Sequence, residues 1–307
     1  MSASEARSEA KPSGVMSASE ARSEAKPSVV MSASEARSEA KPSGVQWIDS
    51  HCHVTADAFA EDRAAVIERA AAAGVERMIA IGAGYGVAHN ADAVALAAAD
   101  PRVYAAVGVH PHDATALDDA GRAGLRAWLA APRVVAVGEC GLDYWYEHSP
   151  RAVQREVFAW HVALARELGL PVVIHVRGRD GAAYEELLDI WSAEGRGDVA
   201  GVLHCYTGDL AFAERALDRR LEISFSGILT FARDRGLRAT AAALPLERLL
   251  VETDAPLLAP EGARGTRNEP ARVAEVGAVL AAAQGRTVAE VAAATTANAR
   301  RLFRLPD

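Results

Sequence analysis

The chain has 307 residues, 50% of them apolar, with a formal net charge of −8 at pH 7 and a mean hydropathy of +0.01, the profile of a soluble protein able to build a core. No stretch approaches the roughly 18 consecutive apolar residues of a spanning helix, and the N-terminus lacks the basic start and apolar run of a secretory signal, which argues against membrane insertion and export. Three cysteines, Cys52, Cys140 and Cys205, are too few and odd in number for a disulfide framework and fit a reducing cytoplasm.

Residues 1–45 are one 15-residue unit written three times, MSASEARSEAKPSGV, with Val29 in the second copy where the first has Gly14. Each unit carries two Glu, one Arg and one Lys, so the repeats are neutral and the whole −8 falls on residues 46–307. A unit with almost no large apolar side chain cannot offset the entropy of ordering, and its period is shorter than that of a stacked solenoid. Residues 1–45 are therefore expected to be a disordered extension, with 46–307 as the folded domain. Each copy opens with Met (Met1, Met16, Met31), so translation can start at any of them or later.

From Trp47 onward, short β-branched runs alternate with Ala/Leu/Glu/Arg stretches of helical period. The predicted strands are Trp47–His51, Arg77–Ile81, Val103–Val109, Val134–Gly138, Val172–Val176, Val202–Cys205, Glu222–Phe225 and Leu249–Thr253. Their starts lie about 20 to 40 residues apart, the length of one strand–helix unit, and the runs are almost continuously apolar, as befits strands covered on both faces. Between the fourth and fifth, Ser149 followed by Pro150 predicts a helix start, Val153, Val157, Leu164 and Leu168 one face, and Gly169 the stop. Thr287 with Glu290 three residues on predicts a capping box opening the last helix. Eight such units give an α/β fold, a (β/α)8 TIM-type barrel. A doubly wound open sheet is the alternative, disfavoured because no Gly-rich dinucleotide fingerprint opens the first unit.

Active residues of such a barrel gather at the C-terminal ends of its strands. Of nine histidines, six (His51, His53, His110, His112, His175, His204) fall at or just past a predicted strand end, whereas His89, His148 and His161 fall in helix or loop. Glu139 and Asp254 join the six at equivalent places. Strand alternation predicts Asp49, His51 and His53 on one face and Ser50 and Cys52 on the other. His51, His53, Glu139, His175, His204 and Asp254 are the candidate metal ligands, a nitrogen and oxygen set suited to Zn²⁺, Mn²⁺, Co²⁺ or Fe²⁺, or to Mg²⁺ through the carboxylates. Six exceed what one tetrahedral ion needs, so two divalent ions are expected, one held by His51, His53 and Asp254, the other by His175 and His204, with Glu139 bridging. Any one of these histidines could be a satisfied core residue; burying all six groups without a cation is costly. Each cysteine directly follows a proposed ligand and is expected to face the other way, as packing between barrel and helices.

The segments DSHCHV (49–54), GVHPHDA (108–114), GECGLDYW (138–145), IHVR (174–177), LHCYTG (203–208), SFSGILTF (224–231), ETDAPLLAP (252–260), RGTRNEP (264–270) and TTANARRLF (295–303) together resemble the TatD-family metal-dependent deoxyribonucleases, in order and across essentially all of 47–303. The resemblance implies a (β/α)8 amidohydrolase-like barrel, divalent-metal dependence (Mg, Mn or Zn) and hydrolysis of DNA phosphodiesters, often from the 3′ end of single strands. It suggests DNA repair as the pathway, and its metal positions fall on the same six residues. Val54–Thr55 and Val176, where the family more often has Ser after the histidine, depart from the commoner family residues without touching a ligand.

The expected mechanism is metal-assisted hydrolysis, with Asp254 as general base and Glu139 bridging the ions. Candidate phosphate contacts are His112 and Arg177, then His110 and Asn268; the alternative for Arg177 is an ion pair with Asp180 or Glu185. Asp143 is expected to hold a ligand in place. Tyr144 and Trp145, with Tyr146, offer a stacking platform for an unpaired base, or else rim packing. A charge of −8 opposes a long DNA footprint, so single-stranded DNA gripped at its end, or a short oligonucleotide, is the expected partner of a cytoplasmic monomer. A related barrel hydrolase acting on an amide, lactone or aminoacyl ester would use the same metals, and a metal-binding module without turnover is a third reading.

Overall fold

The computed structural model describes residues 44–233 and 235–306; apart from Gly44 and Val45, the repeat extension lies outside the described residues. Eight parallel strands pair side by side in chain order: β1 (Trp47–Cys52), β2 (Val75–Ile81), β3 (Val103–Val107), β4 (Val134–Asp143), β5 (Val172–Arg177), β6 (Gly201–Leu203), β7 (Leu221–Phe225) and β8 (Leu249–Val251). The last strand returns to the first: the Asp254 N–H donates to the His51 carbonyl (2.9 Å) and the His53 N–H to the Ala255 carbonyl (2.7 Å). This makes the (β/α)8 barrel. One helix follows each of the first seven strands, α1 (Arg63–Ala72), α2 (Asn90–Ala99), α3 (Asp119–Leu129), α4 (Arg151–Leu168), α5 (Ala182–Gly195), α6 (Leu210–Leu217) and α7 (Arg235–Ala243), and two follow the eighth, α8 (Val273–Gln284) and α9 (Val288–Phe303).

Alternation along the strands produces two apolar layers. Ile48, Ile79, Ile81, Tyr104, Val173 and Leu250 fill the barrel interior, where Leu302, Phe303 and Leu305 from the C-terminal segment join them. Trp47, Met78, Val103, Leu221 and Val251 face outward to the helices. All eight strands predicted from the sequence are present, but their ends differ. β3 stops at Val107 because β3 and β4 close up at Gly108, where a Cβ would lie 2.6 Å from the Gly138 backbone. β4 runs on to Asp143 because it stays paired with β5 as far as Arg177.

At the helix ends, Gly169 stops α4 in the left-handed region (φ 64°), and the capping box of Thr287 and Glu290 opens α9. Ser149 is not the cap of α4. That helix starts after Pro150 with no side-chain cap, and the Ser149 hydroxyl instead donates to the His112 carbonyl (2.8 Å). The buried stripe of α4 includes Val157, Phe158, His161, Leu164 and Ala165, which leaves Leu168 at its edge, 41% exposed. Among the described residues, no helix is long and apolar enough to cross a membrane.

Candidate active site

Two irregularities in strand pairing place the mouth residues. Between Asp49 and Cys52 the register of β1 against β2 shifts, three residues advancing where β2 advances two, and between Gly138 and Cys140 the same happens in β4 against β5, leaving Glu139 as the extra residue. A bulge re-aims side chains at the end of a strand. The simple alternation predicted for β1 therefore fails. Asp49 turns away from the metal candidates to accept the Thr253 N–H (2.9 Å) and hydroxyl (2.5 Å), and burial pushes its carboxyl up to about 8. The Ser50 hydroxyl meets that of Ser224 (3.1 Å), while His51 and His53 still reach the mouth. Asp254 enters it from a left-handed backbone (φ 55°).

The six predicted ligands converge. His51 Nε2 lies 3.3 Å from His53 Nε2, 3.5 Å from Glu139 Oε2 and 3.5 Å from Asp254 Oδ1, and His53 Nε2 lies 3.4 Å from Asp254 Oδ1. The other oxygen of Glu139, Oε1, faces His204 Nε2 (2.8 Å) and His175 Nδ1 (3.1 Å). One carboxylate thus addresses both histidine sets, one oxygen to each. His51 Nδ1 and His53 Nδ1 are buried without a hydrogen-bond partner among the described residues, so the polar contacts of both rings are those at Nε2. Converging imidazole and carboxylate donors of this kind fit one or two divalent cations.

Neighbouring acids set the tautomers. Asp143 Oδ2 stands 3.1 Å from His175 Nε2, and Glu252 Oε1 3.2 Å from His204 Nδ1; a proton kept on each of those nitrogens leaves His175 Nδ1 and His204 Nε2, which face Glu139, as the nitrogens whose proton a divalent cation would replace. Against the cost of burial, Glu139 and Glu252 hold His204 well above the usual histidine range. Glu139, also against burial, is held well below the carboxylate range by the charge of His204 and by hydrogen bonds from His175 and His204. Burial keeps His110 well below the histidine range and so neutral. Its Nδ1 accepts the His112 N–H (3.1 Å), which puts its proton on Nε2, 3.5 Å from Glu139 Oε1.

A cleft of about 500 Å³ opens above these groups, lined by His110, His112, Tyr146 and Arg177 as well as by ligand candidates. Arg177 takes neither ion pair envisaged for it: Asp180 accepts the Ala182 N–H, and Glu185 pairs with Arg215. Its guanidinium lies over the rings of Trp145 (5.4 Å) and Tyr146 (5.1 Å). His112 Nε2 shares Asp143 Oδ2 (3.0 Å) with His175, so Asp143 does hold a ligand candidate in place.

Three expectations need correction. Tyr144 is no stacking surface: it is 2% exposed and its hydroxyl donates to Glu186 (2.7 Å), because the turn after Asp143 points the first aromatic inward and only Trp145 and Tyr146 outward. Asn268 is fully buried and cannot meet a phosphate; its amide donates to the carbonyls of Thr253 (2.9 Å) and Leu257 (2.8 Å), fixing the segment that carries Asp254. Cys52 and Cys140 pack in the outer layer as expected, but Cys205, with a left-handed φ of 45°, lines the cleft. Two residues escaped the sequence reading. Glu252 reads as a neighbour of Asp254, although alternation along ETD could have placed both inward. Tyr85, in the GYG after β2, stands at a strand end as the ligands do.

The sequence pattern of the TatD related DNase family matches residues 48–304. The chain is 42% identical over 266 residues to the uncharacterized metal-dependent hydrolase TatD of Mycobacterium tuberculosis, spanning 84% of this chain and 98% of that protein. It is 37% identical over 260 residues to the 3′-5′ ssDNA/RNA exonuclease TatD of Cronobacter sakazakii, spanning 83% and 97%. Among solved structures, the TatD homologue YjjV of Escherichia coli superposes with a TM-score of 0.79 at 32% identity, covering 85% of this chain and 99% of that one.

Proposed function

The chain belongs to the TatD family of metal-dependent hydrolases, and on that premise we propose that it hydrolyses phosphodiester bonds at the 3′ end of single-stranded DNA or short oligonucleotides. The observation that carries this reading is Arg177, a guanidinium with no ion pair among the described residues, laid on two exposed aromatic rings at the rim of a cleft floored by Glu139. A cation beside a stacking surface suits a phosphate followed by an unpaired base.

His51, His53 and Asp254 would hold one ion, His175 and His204 a second, and Glu139 would bridge them. Mg²⁺, Mn²⁺ or Zn²⁺ bound there would polarise a phosphoryl oxygen and acidify a water. Asp254 takes a proton from the attacking water, whose oxygen bonds to phosphorus in line as the P–O bond to the leaving oxygen breaks; a proton then passes to that oxygen. His110, with its proton on Nε2, donates to a phosphoryl oxygen, and His112 and Arg177 hold the phosphate. The charge of −8 opposes a long footprint and favours grip on a strand end by a monomer.

The test is nucleotide release from a 5′-labelled single-stranded oligonucleotide by metal-depleted protein supplied with Mg²⁺, Mn²⁺ or Zn²⁺ in turn, with Glu139→Ala alongside. A metal-restored ladder shortening from the 3′ end, absent in the variant, supports the reading. Tight metal binding with no cleavage under any metal overturns it in favour of an amide, lactone or aminoacyl ester hydrolase.

A further inference from the structure

Among the described residues five large apolar side chains are well exposed, and four of them, Tyr85 (47%), Trp145 (41%), Tyr146 (53%) and Leu257 (55%), stand on loops at the barrel mouth. Concentrating apolar surface in one place marks it for contact. The two sides of the cleft differ in their cationic groups. Beyond β4 and β5, Arg179 lies 4.4 Å from the Trp145 ring centre, and Arg177 covers both aromatic rings. Across the mouth, beyond β2, β7 and β8, the cleft wall above the ligand candidates His53 and Asp254 is Tyr85, Ile228, Leu257 and Leu258, with no charged side chain among these four.

Tyr85 is held in place rather than loosely displayed. Gly84 (φ 98°) and Gly86 (φ 90°) flank it in a backbone region other residues avoid, the Gly86 N–H donates to Asp113 (3.1 Å), and the Tyr85 ring meets His53 edge-on at 5.5 Å. An aromatic ring therefore stands beside the metal candidates in this uncharged wall.

We infer that this uncharged wall seats the terminal nucleoside of the strand, stacked on Tyr85 and packed against Leu257, while the body of the strand leaves over Tyr146, Trp145, Arg177 and Arg179. The inference rests on the nuclease reading and deepens it. A terminal unit adds only a base and a sugar beyond the scissile phosphate and needs no further cation; every unit on the other side brings another phosphate and finds the arginines. Among the described residues no Asn or Gln lines the cleft, and stacking tolerates every base, so the seat accepts any terminal base.

The test pairs Tyr85 with the base it would hold. Binding of a 5′-fluorescein single-stranded oligonucleotide to the metal-free full chain is followed by anisotropy, with an intact 3′-terminal nucleotide or an abasic one. Loss of the terminal base should weaken binding to the wild type about tenfold, the scale of one stacked base. Tyr85→Ala should lose the same factor on the intact strand and nothing further on the abasic one, and Tyr85→Phe should restore it. Trp145→Ala should weaken both strands alike. Independent, multiplying effects of Tyr85→Ala and the abasic end overturn the inference even if the strand is hydrolysed. Coupled effects without hydrolysis under any metal support the seat and remove the nuclease reading. No binding of either strand overturns the inference; the nuclease reading falls with it only if metal-restored protein also releases no nucleotide.

Discussion

Asp143 joins two tasks in one carboxylate. Its Oδ1 accepts the N–H groups of Trp145 and Tyr146, each at 2.9 Å, which shapes the aromatic turn, and its Oδ2 serves His175 and His112. In Asp143→Asn the two backbone donors hold the amide oxygen, so the amide nitrogen faces His175 and drives its proton onto Nδ1, the atom needed for a metal. Metal affinity by calorimetry should fall about 10- to 100-fold, with little change in the melting temperature. Asn268→Ala should act on the fold instead, losing roughly 1–3 kcal/mol of stability in denaturant melts as two buried carbonyls lose their donor. At this scale the ligand candidates were legible because each is a metal-binding residue type at a strand end. Tyr144 and Asn268 were not: three consecutive aromatics do not reveal which one a turn buries, and an amide bonded to carbonyls has the same sequence signature as one free for a phosphate.

Elements obey the sequence more closely than their ends do. Continuous apolar runs fixed all eight strands, since strands covered on both faces leave that mark. The bulges in β1 and β4 were hidden, because alternation assumes unbroken pairing and no residue type announces where it slips. A second feature invisible to periodicity is His161, on the buried side of α4. It is expected in helix or loop from the sequence, and the structure makes it a clamp: Nε2 accepts the Val109 N–H (3.1 Å), and Nδ1 bonds the Val157 carbonyl (2.7 Å). Burial lowers its pKa to about 4. Between about 4 and the ordinary value near 6.5 the unfolded chain holds the proton and the folded one does not, so stability falls as pH drops through that window. The contribution is complete above the unfolded value and is lost by roughly 3 kcal/mol below the folded one. Denaturant midpoints taken from pH 7 to pH 4 should decline more shallowly in His161→Gln than in the wild type; equal slopes would remove the clamp from the acid response.

For the whole molecule, the division at residue 45 is a proposal that deletion can decide: removing residues 1–45 should leave activity and melting temperature unchanged, and a large loss in either refutes it. The composition offers an independent handle. All lysines of the chain, Lys11, Lys26 and Lys41, lie in the repeats, and residues 46–307 have none. Lysine-directed coupling to a resin therefore attaches the protein through the repeats alone, and the immobilised enzyme should keep its turnover if the barrel works unaided.

The inner layer of the barrel carries a different consequence. Ile48, Ile79, Tyr104 and their neighbours fill the lumen, and Leu302, Phe303 and Leu305 join them, so the barrel is a cup and not a tube. Whatever is cut in the mouth has to leave by the opening through which the next strand arrives. Traffic through a single doorway makes a released mononucleotide a rival of the incoming end, and under the nuclease reading the enzyme slows as its own product accumulates.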